Sequence, residues 1–153
     1  MAEHSDKGEQ LFRAGYNCAQ SVFGAFSDTT GIDFNTAVKM SASFGGGFGR
    51  LREVCGAACG MTLVYGCLFG YTAPDDYEAK KTNYAGEREL METFREQNGS
   101  IICRDILGDL ANEETGGAPT PRTEEFYTKR PCIKCIRTAC DALDRYIISK
   151  GQK

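Results

Sequence analysis

Apolar residues recur along this chain at helical spacing, and no segment alternates cleanly enough for a strand. Leu11, Phe12, Ala14, Cys18, Val22 and Phe26 form a first stripe, interrupted by Gly15 and Asn17. Asn17 is a capping type, so a new helix is predicted to begin at Cys18. Asp28 to Gly31 reads as a turn, and Asp33 or Asn35 then caps a helix through Met40. Phe44-Gly45-Gly46-Gly47-Phe48-Gly49-Arg50 holds too many glycines for a regular element and reads as a loop with special backbone angles. From Val54 to Ala73 the chain carries no charge. That length matches a membrane span, but the stretch is isolated and rich in Gly and Cys, so a central buried helix explains it better. Gly56 and Gly60, then Gly66 and Gly70, fall on faces where another helix could approach closely.

The second half continues the pattern. Pro74-Asp75-Asp76 opens an amphipathic helix from Tyr77 to Asn98, with Tyr84, Leu90, Met91 and Phe94 as its apolar side and Gly99 as its end. Ser100 is read as the cap of a short helix through Leu107, closed by Gly108. Residues 111–123, with Gly116, Gly117, Pro119 and Pro121, read as a flexible loop. Arg130-Pro131 starts a last helix carrying Ile133, Ile136, Leu143, Ile147 and Ile148. The expectation is an all-α, single-domain bundle of about five to seven helices around a central Gly/Cys-rich helix. It would span residues 11–149, with a polar tail at 1–10 and another at 150–153.

The 153 residues suit one sizeable core. A net charge of −3 argues against nucleic acid as the main partner. The N-terminal residues contain no apolar targeting region, which makes the cytoplasm the expected compartment. The single histidine, His4, falls in the polar tail, which excludes an imidazole base in the core and a His-ligated catalytic zinc.

Eight cysteines are the chemistry to explain. In a reducing compartment they point to metal binding or redox work rather than structural disulfides. Cys18, Cys55, Cys103 and the Cys132/Cys135 pair each sit at or near a predicted helix start. Unpaired N–H groups and the helix dipole favour a thiolate there, or an anionic group held by thiolates. Cys67 and Cys140 lie in apolar helical stretches and read as small core residues. Small neighbours of Cys55 (Gly56, Ala57, Ala58, Cys59 and Gly60) keep bulk away from its sulfur. Lys129 and Arg130 precede Cys132 and should lower its pKa. The glycine-rich loop matches neither phosphate-binding pattern, so no nucleotide is expected. Gly45, Gly46 and Gly47, with Arg50 nearby, could instead shape an anion nest beside a negative cluster, or form a tight packing turn.

Gly15-Tyr16-Asn17-Cys18-Ala19-Gln20, then Phe44 to Arg50, then Cys55-Gly56-Ala57-x-x-Gly60, then Gly99 to Gly108, then a late cysteine before a helix, together resemble the C_GCAxxG_C_C family of redox-active proteins. The resemblance runs from about Leu11 to Ile148. It implies four site cysteines: Cys18, Cys55, Cys103 and one late residue. Cys132, Cys135 and Cys140 compete for that last place; Cys135 fits the family tail best, through Ala139 and Leu143, and Cys132 is second. Family members often lie beside transporter genes, which implies a functional link to a transporter. A related domain occurs in split-Soret cytochrome c, where an iron–sulfur centre accompanies haem. This chain has no C-x-x-C-H, so no haem is implied.

Several functions remain open at this level. One is electron transfer or redox sensing, with a redox partner protein, through an iron–sulfur cluster on Cys18, Cys55, Cys103 and Cys135. Another is a metal-free thiol–disulfide oxidoreductase or thiol sensor, using Cys55 with Cys103 or Cys18, or the Cys132–Cys135 pair. The others are a structural zinc held by four cysteines and a non-catalytic helical interaction module. The glycine-spaced apolar helix also suggests a homodimer.

Overall fold

The computed structural model describes residues 2–151, and Met1 and residues 152–153 of the two expected tails lie outside them. The chain folds as α1 (Ala2–Arg13), α2 (Cys18–Ala25), α3 (Ser27–Thr30), α4 (Phe34–Ser41), a 3-10 turn (Ala42–Phe44) and α5 (Gly45–Phe48). There follow α6 (Gly56–Phe69), α7 (Tyr77–Asn98), α8 (Cys103–Leu107), α9 (Leu110–Glu113), α10 (Glu124–Lys129) and α11 (Cys132–Ser149). The fold is all-α: among the described residues there is no strand, only an isolated antiparallel bridge between Val54 and Ile102. Helical segments outnumber the expected five to seven because α3, α5 and α9 are short pieces in stretches that read as turn or loop, and α10 lies in a stretch given no element. Among the described residues, no helix is long and apolar enough to cross a membrane.

α6 lies at the centre, packed against α2, α7 and α11. Its first half is buried throughout, from Gly56 to Met61. Phe23 and Phe26 of α2, Leu90 and Phe94 of α7, and Ile136 and Leu143 of α11 share the core with Met61 and Val64. Gly56 and Gly60 do allow a close approach, and the partner is α2. A Cβ on Gly60 would stand 2.9 Å from the Ala19 carbonyl oxygen and from Val22 Cβ. The Gly56–Gly60 part of the face that suggested a second copy is therefore filled by the same chain. Gly66 has open space where its Cβ would be, and Gly70 faces only its own preceding turn.

The expected N-terminal tail is instead α1, which packs on α11 and α2. Its contact face is built from small and polar residues, so periodicity of large apolar positions does not reveal it. Ser5 is 1% exposed, and a Cβ on Gly8 would come within 2.8 Å of Ile136. His4 stacks on Phe26 with ring centroids 4.1 Å apart, and its two ring nitrogens bond Asp144 (2.8 Å) and Asp28 (3.0 Å). The hydrogen bond to Asp144 raises the imidazole pKa, opposed by burial and aided by Asp28. Arg137 clamps Asp6 and Glu9 of α1 at 2.8 and 3.0 Å.

Several local readings shift. Asn17 does cap α2: its side chain accepts from Gln20 N while its own N–H bonds the Gln20 side chain. Asp33 caps α4 and Asp76 caps α7. Ser100 is not the cap of α8; its hydroxyl accepts from Ile102 N, and the helix begins at Cys103. Tyr84 does not join the apolar side of α7; it is half-exposed and bonds the Tyr71 hydroxyl at 3.0 Å. Residues 111–123 form a strap, with α9 at its start and backbone and side-chain bonds from Glu114, Gly116 and Thr120 to arginines of neighbouring segments.

The α2–α6 contact can be tested directly. Gly60→Ala should lower stability by about 1–3 kcal/mol, because backbone at Ala19 cannot yield to the added methyl, whereas Gly66→Ala, in open space, should not destabilise. Urea denaturation midpoints of the two variants check this.

Candidate functional site

Each cysteine at a predicted helix start is found at one. Cys18 is the first residue of α2, Cys55 is the N-cap of α6, Cys103 opens α8, and Cys132 opens α11 with Cys135 one turn further on. Cys18, Cys55, Cys103, Cys132 and Cys135 line a single cavity of about 100 Å³. Three local features bring them there. A Cβ on Gly56 would lie 3.2 Å from Cys18 Cβ, so the bare glycine lets Cys18 sit beside the start of α6. Around the Val54–Ile102 bridge, Cys55 N donates to Ile101 O (2.7 Å) and Cys103 N to Glu53 O (2.5 Å), which pairs those two cysteines. Packing of α11 on α6 carries in Cys132 and Cys135.

The sulfurs interact in pairs. A hydrogen bond from the Cys18 thiol holds the Cys132 pKa down at about 7, aided by Arg130 and Arg52 against the effect of burial. Cys18 rises correspondingly, through the same bond and its burial. Cys55 is lowered by a hydrogen bond from Cys135, and the amides of Ala57 and Ala58 at the start of α6 add to it. Cys135 rises in return, and its Sγ also lies 3.5 Å from Asn98 Oδ1. Burial raises Cys103, and a hydrogen bond from Arg52 opposes that rise. No disulfide links the eight cysteines. Among the described residues, no group of three or more His, Cys, Asp and Glu side chains is arranged to hold a single metal ion.

The remaining cysteines lie outside the cavity. Cys140 is fully buried in the core, as expected. Cys67, expected in the core, is exposed, because the second half of α6 reaches the surface. Cys59 is buried, with its thiol pushed up to about 12 by burial.

Of the glycine loop, only Gly46 lines the cavity. Gly45 abuts the Asn17 side chain, and a Cβ on Gly47 would come within 2.6 Å of the Glu53 amide. Arg50 turns to the strap, donating to Gly116 O (2.7 Å) and Thr120 Oγ1 (2.8 Å). Besides Arg130 at Cys132, a cation that faces the sulfurs is Arg52, which the sequence reading passed over. It is 3% exposed, and its Nη1 donates to Cys103 Sγ at 3.6 Å. Phe48, Arg50 and Arg52 adopt φ of 66°, 71° and 62°, so the loop coils back on itself and aims Arg52 inward. Arg52 N bonds Gly46 O and Glu53 N bonds Gly47 O, at 3.1 and 3.0 Å. Arg130 pairs with the Glu114 carboxylate, and Arg122 lies over the Phe12 and Phe126 rings at the cavity wall. The Gly-Gly-Gly segment, which marks unusual backbone angles, was the available signal for Arg52, but which arginine points inward depends on the loop's path.

The model of the family described as "Putative redox-active protein (C_GCAxxG_C_C)" matches residues 16–146. The chain belongs to this family. The matched C_GCAxxG_C_C segment contains all five cavity cysteines and the arginines around them. No curated protein and no solved structure matches the chain.

The unequal thiols give a measurable consequence. In metal-free, reduced protein, alkylation of Cys132 should rise with a midpoint near pH 7, since only the thiolate reacts. Cys140 should stay unmodified until the protein is unfolded. Peptide mass spectrometry over a pH series reads both.

Proposed function

We propose that the cavity is a redox centre in which Cys18, Cys55, Cys103 and one or both of Cys132 and Cys135 hold an iron–sulfur cluster for electron transfer or redox sensing. The observation that carries this reading is the lining of one cavity by five sulfurs from four separate helix starts. Thiols meant only for disulfide exchange need contact with each other, not an open space among them. The volume of about 100 Å³ suits a small inorganic group or a few waters. Thiolate donors suit iron–sulfur chemistry, and a thiolate-bound cluster is an anion that needs compensation. The chain supplies it: the Ala57 and Ala58 amides at Cys55, Arg52 at Cys103, and Arg130 at Cys132. When bound, a cluster supplies one-electron exchange. The protein's part is to keep the sulfurs anionic, hold them with N–H donors and exclude water with Phe12, Ile106, Leu107 and Phe126.

A second reading has its own observation. Cys18 with Cys132, and Cys55 with Cys135, lie close enough for each thiol to shift its partner's pKa. In each pair one sulfur is favoured as thiolate and the other as thiol, the arrangement a metal-free dithiol needs. The pairing differs from the Cys55–Cys103, Cys55–Cys18 and Cys132–Cys135 combinations expected from sequence.

Anaerobic purification or reconstitution separates the two. The cluster reading expects visible absorption with iron and acid-labile sulfide, reduced in Cys18→Ser, Cys55→Ser and Cys103→Ser but retained in Cys140→Ala. Colourless protein without iron after reconstitution, forming Cys18–Cys132 and Cys55–Cys135 disulfides on mild oxidation, would replace it with the dithiol reading. Stoichiometric zinc without sulfide would overturn both.

A further inference from the structure

Arg52 is nearly sealed from solvent at 3% exposure, and its side chain is a guanidinium cation. Among the described residues it makes no ion pair with a carboxylate. Its Nε and Nη2 both donate to the Glu114 backbone carbonyl, at 3.1 and 2.7 Å, and its Nη1 points at Cys103 Sγ. A desolvated cation without a full counter-charge is costly, and a peptide carbonyl offers only a partial one. The Glu114 carboxylate is nearby but paired with Arg130, so the cavity that Arg52 lines is where further compensating negative charge can sit.

We propose that Arg52 is the positioning residue that sets the reduction potential of the cysteine centre, by fixing a permanent positive charge against the sulfur of Cys103. The inference rests on the redox reading of the cavity but not on which redox group occupies it. Three restraints hold the charge in place. The backbone of Arg52 is left-handed, its amide bonds Gly46 O, and its carbonyl accepts from Arg104 N and Nε at 3.1 and 3.2 Å. The planar fork of arginine lets one side chain reach the Glu114 carbonyl and the sulfur together, which a lysine ammonium cannot do with the same geometry. A cation beside a redox group in a low-dielectric cavity favours whichever state carries more negative charge. For a cluster that is the reduced state, one electron richer. For the Cys18–Cys132 dithiol the couple is a disulfide plus two electrons and one proton against one thiol and one thiolate, and the cation, which also acts on Cys132, stabilises that thiolate on the reduced side. Loss of Arg52 therefore lowers the potential in both cases.

The test is a spectroelectrochemical titration of anaerobically reconstituted wild type, Arg52→Gln and Arg52→Lys. Arg52→Gln should lower the reduced-to-oxidised ratio at fixed potential by about tenfold or more, which is about 59 mV for a one-electron couple. Arg52→Lys should recover part of it. If the wild type takes up no iron or sulfide, that result alone ends the cluster reading. The same proteins are then equilibrated in glutathione buffers, where each disulfide formed reduces one oxidised glutathione to two thiols. The same downward shift is expected there, about 30 mV per tenfold. Should Arg52→Gln fail to fold, Glu114→Gln serves instead: it removes a carboxylate beside Arg52 and Arg130, keeps the carbonyl that holds Arg52, and should raise the potential. A folded Arg52→Gln with unchanged or higher potential, an Arg52→Lys shift as large as that of Arg52→Gln, or a Glu114→Gln potential that stays or falls, overturns the proposal.

Discussion

The close approach of α2 to α6 is the contact on which the cysteine cavity depends. Gly56 and Gly60 sit where any side chain would press on Cys18, Ala19 or Val22. Because both glycines lack a Cβ, the starts of two helices come together, and with them Cys18 and Cys55. Core side chains on the same helices, among them Phe23, Phe26, Met61 and Val64, bury enough apolar surface to hold the two axes at that separation. Cys103 is then tied to Cys55 by the short Val54–Ile102 bridge, and α11 closes the far side.

The same residue type behaves differently according to what surrounds its sulfur. Cys140, set among Gly8, Ile136 and other apolar neighbours, is raised by burial and behaves as core. Cys132, at the start of the same helix, has a partner thiol and two arginines near it and is lowered to about 7. Helix starts and arginines act in one direction at the cavity, making negative charge on sulfur easier to hold, whereas each thiol pair favours it on one sulfur at the expense of the other.

Holding Arg52 in place has a cost. Three non-glycine residues close together (Phe48, Arg50 and Arg52) stand in the left-handed region, each about 1 kcal/mol or more above an ordinary conformation. The glycine loop keeps them there through its own carbonyls, and the strap from Glu114 to Thr120 holds both Arg50 and Arg52 from outside. Strain concentrated beside a candidate site, and offset by hydrogen bonds from a distant part of the chain, fits the general expectation that local rules are broken where function needs them.

Much of this was legible in the residues themselves. Apolar spacing marked α2, α6, α7 and α11, capping types marked Asn17 and Asp33, and the four cysteine-bearing helix starts followed from those boundaries. Such signals are local, carried by residues within a turn or two of one another. The N-terminal helix was hidden because Ser5 and Gly8 make its contacts, and small or polar residues leave no hydrophobic period. The pairing of Cys18 with Cys132 and Cys55 with Cys135, the inward aim of Arg52 in place of Arg50, and the strap over residues 111–123 were decided only by tertiary structure. Each joins segments tens of residues apart, and which atoms meet across such distances depends on helix packing and loop path, neither of which local composition encodes.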